Sequence, residues 1–323
     1  MNTASYTVGR PEATRRLGVD EAVWSEADAR FPVRVPRAWF DRIEDPDDPL
    51  GRQALPHPSE LEADPEGRED PVGERGLKPS PWVVRKHADR VLLLLTRRCH
   101  LYCRYCFRRN DHDGGPADPS AAELDEAIRF CRDSGARELI LSGGDPLAVR
   151  DEKLFAVIDA IGAPTVRVHT RAPITAPERV TTELVEGLAS RAPVWILVHC
   201  NHPDELSPPV REALARFVDA GLPVLNQAVM LRGVNDDVDV LAGLCEELVS
   251  LRVFPYYLHH TDRAAGNARF RVGFEEGLRL HEALAARVSG VALPRYVVDL
   301  PDGSGKIEVR RALQDGILRE RES

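Results

Sequence analysis

The chain has 323 residues, of which 43% are hydrophobic and 29% charged, and its formal net charge is −9. This length suits one large α/β domain or two small ones and can bury a core without disulfide staples. The acidic balance argues against a dedicated nucleic-acid binder, and no apolar run approaches the ~20 residues of a membrane helix.

The first eighty or so residues read as irregular, with eleven prolines from Pro11 to Pro81 and acidic stretches between them. Residues 1–85 are expected to form an arm with short helices that packs on a larger body, with Phe31-Pro-Val-Arg-Val-Pro-Arg-Ala-Trp-Phe40 docking on it. No apolar leader precedes this segment, so a cytoplasmic address is expected and the six cysteines are not expected to form disulfides.

From Arg90 the texture changes. Short β-branched runs begin near 91, 138, 166, 195, 223 and 253, the last five spaced by 28 to 30 residues. Helical stretches fall between them, including Ser120–Ser134, Asp151–Ile161, Pro208–Ala220 and Asp237–Leu251, with Ser120 and Asp151 as candidate caps. A strand, a helix and a parallel return strand need about this length. Six such units predict an α/β fold, an incomplete (β/α)6-type parallel barrel over 86–310 with a short tail at 311–323. Active sites in such folds lie beyond the C-terminal ends of the strands.

The loop after the first of these strands holds Cys99, Cys103 and Cys106 at CxxxCxxC spacing. Three thiolates can hold an iron–sulfur cubane and leave one iron open, since cubanes usually take four cysteines. Zinc is the competing reading, but it normally wants a fourth ligand, and His100 stands too close to Cys99 to serve easily. Cys131, Cys200 and Cys245 are read as packing residues. After the second strand comes Ser142-Gly143-Gly144-Asp145, two glycines that admit a close approach to the backbone and an acid that can accept from an ammonium.

Lysine occurs four times, at 78, 86, 153 and 306, and arginine supplies the other thirty-nine basic residues. An amine on the Gly-flanked loop before Lys306 therefore stands out. Gly-x-Gly-Lys is not a Walker loop; a single exposed lysine there is either a solvated hairpin residue or an amine kept for a carbonyl cofactor.

Taken in order, these motifs resemble the lysine 2,3-aminomutase family of radical S-adenosylmethionine (SAM) enzymes, from about Phe31 to Val309. The match also rests on Phe107-Arg108-Arg109, His169-Thr-Arg-Ala-Pro173, Trp195 to Pro203, Asn226 to Asp236 and Pro255-Tyr-Tyr257. The resemblance implies a [4Fe-4S] cluster on Cys99, Cys103 and Cys106, and SAM near Ser142, Gly143, Gly144 and Asp145. It implies pyridoxal phosphate on Lys306, with Arg90 and Lys86 toward its phosphate and Gln227 lining the space shared with SAM. Arg108 would take the substrate α-carboxylate, and Asp262 and Asp299 the ε-ammonium of lysine. The implied reaction moves the α-amino group of L-lysine to the β-carbon, with electrons from a donor such as flavodoxin or ferredoxin and no partner in membranes or nucleic acid. A homo-oligomer is left open by the short tail. Another amino acid such as arginine, and the branch that serves elongation factor P, remain alternatives. The chain's length resembles that branch, but retention of Asp299 points back to free lysine. From other classes, an iron–sulfur redox protein would have no need of Lys306 or Arg108, and a radical epimerase or dehydrogenase would not move nitrogen.

Overall fold

A computed structural model describes residues 7–111, 115–191 and 193–318. Seven parallel strands follow one another in both sequence and space: β1 (Arg90–Thr96), β2 (Glu138–Gly143), β3 (Thr165–Thr170), β4 (Val194–Val198), β5 (Val224–Val229), β6 (Phe254–His259) and β7 (Arg295–Leu300). Antiparallel strands close both edges: Val83–Val84 beside β1, and β8 (Gly305–Glu308) beside β7. The result is an open nine-stranded α/β sheet, an incomplete parallel barrel. The count departs from expectation by one, because Arg295–Leu300 joins the parallel series through its pairing with β6. A long loop and a helix separate the two strands, which hides the unit from a search by spacing.

The elements follow from ordinary causes. In β1 the run Leu93 to Leu95 is buried on both faces, as a strand covered by helices requires. The first helix, α1 (Ala121–Asp133), starts in a capping box in which Ser120 and Glu123 satisfy each other's backbone amides. The next, α2 (Asp151–Ile161), is capped at Arg150, so Asp151 is not the cap: it lies in the first turn, where its charge suits the helix dipole, and pairs with Arg179. Further helices span α3 (Thr182–Ala189), α4 (Pro208–Asp219), α5 (Val238–Ser250) and α6 (Phe274–Ala285), and α4 opens with Pro208-Pro209, where a missing N–H costs nothing.

Residues 7–85 carry helices at Arg10–Leu17, Glu21–Arg30 and Pro49–Ala54. Trp24, Phe31, Trp39, Phe40 and Ile43 from this segment are buried. Two polar ties are as telling: Gln53 Nε2 donates to Glu205 at 3.0 Å, and Glu60 accepts from Arg104 and Arg109. The described helices include none long and apolar enough to cross a membrane.

Candidate active site

The cysteine loop leaves the C-terminal end of β1, and Gly143-Gly144 leaves the end of β2 beside it. Gly143 has φ +135°, and a Cβ on it would strike the carbonyl of Thr96; one on Gly144 would strike that of Arg98. The glycines thus let two strand ends close on each other, and Gly144 N donates to Thr96 O at 2.7 Å. Their demonstrable role is to seat the cysteine loop, besides any approach to a ligand.

Cys99, Cys103 and Cys106 are free and partly exposed, whereas Cys131, Cys200 and Cys245 are buried. Burial, then Asp145 and the neighbouring thiols, pushes Cys99 well up; burial and then Cys103 push Cys106 up to about 11. Two thiols pushed up in this way, with a third beside them, call for a cationic centre. Among the described residues, no three His, Cys, Asp or Glu side chains converge on one ion position. A cubane takes one thiolate per iron, so its ligands surround a body, whereas zinc needs every donor about 2.3 Å or less from one point.

Asp145 is buried, and its carboxylate accepts from Leu147 N (2.9 Å), Thr170 Oγ1 (2.6 Å) and Arg171 N (2.8 Å). A carboxylate has about four acceptor sites, so roughly one remains for a ligand. Ser142 Oγ accepts from Arg108 Nη1 at 3.2 Å. Arg108 itself is held by a residue that sequence reading missed: Nε and Nη2 each donate to the Glu74 carboxylate at 2.8 Å. Burial pushes Glu74 up, but Arg108 outweighs it and holds the acid below its usual range. Proline-rich, acidic surroundings gave no signal that Glu74 reaches the barrel.

Lys306 on β8 stands directly across from Asp299 on β7, with Nζ 3.2 Å from Oδ1 and 3.1 Å from Oδ2. Burial raises the Asp299 carboxyl, yet Lys306, then His259, bring it below the ordinary value. Asp262 behaves oppositely: burial, then Asp299, push it up to about 8 against the pull of Lys306 and Lys86. The two acids therefore share one electrostatic site with the lysine.

Lys86 donates to Val72 O at 2.7 Å, and Arg90 pairs with its neighbour Asp89 at 3.1 Å. Burial, then Arg90, and more weakly Lys306 and Lys86, depress the pKa of His87 against the pull of Asp89. Gly305 lies against that ring.

In sheet order, between β1, which leads into the cysteine loop, and β8, which carries Lys306, stands Gln227, buried on β5. Its Nε2 donates to His169 Nδ1 (3.3 Å) and its Oε1 accepts from His259 Nε2 (3.4 Å). Burial depresses His169, His199 and His259, the last two to about 4 and about 3, so all are neutral at pH 7. The buried Nε2 of His169 has no protein partner. The three histidines were legible only as motif letters; their places at or just after strand ends were the available signal. A groove lined by Trp39, Arg42, Ile174, Pro208 and Val210 contains none of these residues.

The description "Radical SAM superfamily" matches residues 93–244. Among curated relatives, a putative L-lysine 2,3-aminomutase of Treponema pallidum is 40% identical over 79% of this chain and 74% of its own length. The L-lysine 2,3-aminomutase of Acetoanaerobium sticklandii is 38% identical over 83% of this chain and 66% of its own. A glutamate 2,3-aminomutase of Clostridioides difficile is 35% identical over 81% of this chain and 63% of its own. The chain thus spans a little under two thirds of several relatives it matches, at 66%, 65% and 63% of their length. With the cysteine loop, the glycine turn and the lysine hairpin at one end of a parallel half-barrel, the chain belongs to the lysine 2,3-aminomutase family of the radical SAM superfamily.

Proposed function

We propose that this protein is a 2,3-aminomutase that moves the α-amino group of free L-lysine to the β-carbon. The observation that carries the substrate choice is the pair Asp262 and Asp299 beside Lys306. Two acids in one partly buried site favour a substrate with a second cationic group. They penalise a second carboxylate, and so argue against the substrate named for the glutamate relative.

The family brings a [4Fe-4S] cluster, SAM and pyridoxal phosphate. When bound, the first two supply a hydrogen-abstracting radical and the third an electron sink for nitrogen migration. The residues fit these groups. Cys99, Cys103 and Cys106 suit a cationic cluster, since burial and the neighbouring thiols push Cys99 and Cys106 up. Gly143, Gly144 and Asp145, with one free acceptor site on the acid, suit the amino-acid end of SAM. Lys306 offers its amine, while Arg90 and Lys86 bring the positive charge a phosphate requires. The unpartnered His169 Nε2 offers a donor for an oxygen of a bound group, and Gln227 fixes the ring that carries it.

In this reading Asp299 holds Lys306 in place until a ligand replaces the pair. Asp262 and Asp299 then hold the substrate ε-ammonium, and Arg108 takes the α-carboxylate. The neutral His169, His199 and His259 line the space without adding charge, which favours exclusion of water from reactive species. We assign residues 1–85 to an arm, 86–310 to the catalytic half-barrel and 311–323 to a tail. We further propose a small reduced carrier such as flavodoxin or ferredoxin as electron donor. A cytoplasmic location follows from the same proposal, since an oxidising compartment would compete for the three cysteines.

One observation favours a second reading. Glu74 occupies Arg108 bidentately, which suits a substrate whose α-carboxylate is masked or carrier-bound. An anaerobic assay of the reconstituted protein with reductant, SAM, pyridoxal phosphate and lysine, arginine, ornithine or glutamate separates the two. β-Lysine from free lysine is expected. SAM cleavage with no β-isomer of any free amino acid would overturn the first reading in favour of the second.

A further inference from the structure

Arg171, just beyond β3, carries a side chain that the proposed reaction does not use. It is buried, and each of its three guanidinium nitrogens has a partner. Nη1 donates to Cys103 Sγ at 2.8 Å, and Nη2 to Gln53 Oε1 at 2.6 Å and to Glu205 Oε2 at 3.0 Å. Nε donates to His199 O at 3.3 Å. The guanidinium lies over the rings of Trp39 and Tyr105, 5.0 and 5.5 Å from their centroids.

Its partners are themselves fixed. Gln53 and Glu205 are fully buried. Glu205 Oε1 accepts from Gln53 Nε2 and from Asn201 N, both at 3.0 Å, and Asn201 Nδ2 donates to Gln53 Oε1 (3.0 Å) and Tyr105 OH (2.7 Å). A buried arginine with one carboxylate partner could exist for packing alone. A fork aimed at a thiol of the cysteine loop, with its other prongs locked from behind, is more specific.

We propose that Arg171 is a positioning residue for the iron–sulfur cluster: it orients the Cys103 thiolate and, through its charge, raises the reduction potential of the cluster. The inference rests on the reading that Cys103 is a cluster ligand. Hydrogen bonds to ligand sulfurs and nearby positive charge both stabilise the reduced, more negative state. Glu205 partly offsets that charge, so the pair sets the potential jointly. Gln53 belongs to the N-terminal arm, which makes the arm part of the cluster's supporting shell.

The test is a redox titration of the reconstituted full-length protein, followed by electron paramagnetic resonance, with iron and sulfide content measured in parallel. Arg171→Met combined with Glu205→Gln removes both buried charges together and avoids stranding one of them. The reduced-to-oxidised ratio at a fixed potential is expected to fall about tenfold, which for one electron is about 59 mV. Glu205→Gln alone is expected to move the ratio the opposite way, since it leaves Arg171 less compensated. A purely structural role would shift both variants in one direction. If the double variant does not hold iron, Arg171→Lys carries the test: it keeps the charge and loses the fork, so a smaller fall is expected.

Full iron content with no shift in the double variant, a shift of the same sign in Glu205→Gln, or no shift in Arg171→Lys overturns the proposal. Cys103→Ser with undiminished cluster would instead overturn the ligand reading beneath it.

Discussion

Glu74 and Arg108 are joined by two parallel hydrogen bonds of 2.8 Å, although one belongs to the arm and the other to the cysteine loop. An arriving α-carboxylate meets a guanidinium whose best edge is already taken. Glu74→Gln keeps the shape and an acceptor but removes the competing charge. KM for lysine is therefore expected to fall about tenfold, the equivalent of ~1.4 kcal/mol, with kcat little changed. Lysinamide, which has no carboxylate, should not share the gain. Equal changes for both compounds, or a rise for lysine, would show that Glu74 serves only to orient Arg108.

Lys306 lies opposite Asp299 in the hairpin register, so it is presented by pairing, not by a free loop. Lys306→Ala should abolish β-lysine formation while SAM cleavage persists. Borohydride treatment of the pyridoxal phosphate-loaded protein should fix the cofactor to the peptide bearing Lys306 and leave none on the variant. Retained activity in that variant with added cofactor would remove the lysine from the mechanism.

Much of this was legible because it is periodic or chemically odd. Regular 28- to 30-residue spacing reveals the β/α series, and four lysines in 323 residues single out Lys306. Other features depend on where the chain returns in space. The Arg295–Leu300 strand joins the parallel sheet only through its pairing with β6, which no local pattern encodes. Asp151 has the composition of a cap, yet the turn begins one residue earlier and Asp151 is spent on Arg179. Glu74, Glu60 and Gln53 sit in an irregular segment, and their partners lie 34 to 152 residues away. Sequence reading of charge there sees solvation; the structure uses it to tie the arm to the cysteine loop and the barrel.

Glu60 is the other such tie. It is 3% exposed and accepts from Arg104, 0% exposed, and Arg109, 4% exposed. Burial pushes its carboxyl up, but the two guanidiniums outweigh that and keep it ionised. Glu60→Ala leaves two buried cations facing each other and is expected to cost roughly 3–5 kcal/mol. Denaturant unfolding measures the loss. Because Arg104 and Arg109 flank Cys106, iron content of the reconstituted variant should fall as well. A loss under about 1 kcal/mol with normal iron content would mean that the arm does not brace this loop.

Asp262 gives the site a pH dependence whose sign is fixed. Without ligand, burial and then Asp299 hold its pKa at about 8, well above the ordinary carboxylate value. The folded protein therefore binds a proton that the unfolded chain releases between about pH 4 and pH 8. This stabilisation is complete below the unfolded pKa and is lost as pH rises through about 8, so ligand-free stability should fall over that window by at most about 1.4 kcal/mol per unit. Substrate binding runs the other way. The ε-ammonium needs an ionised Asp262, so lysine should bind with proton release and its KM should fall as pH rises from 6 to 8.5. Asp262→Asn should flatten both profiles and raise KM for lysine, with a smaller effect on a substrate lacking the second amine. Calorimetric titration in buffers of different ionisation enthalpy counts the protons; no release on lysine binding at pH 7 would show that Asp262 does not face the ammonium.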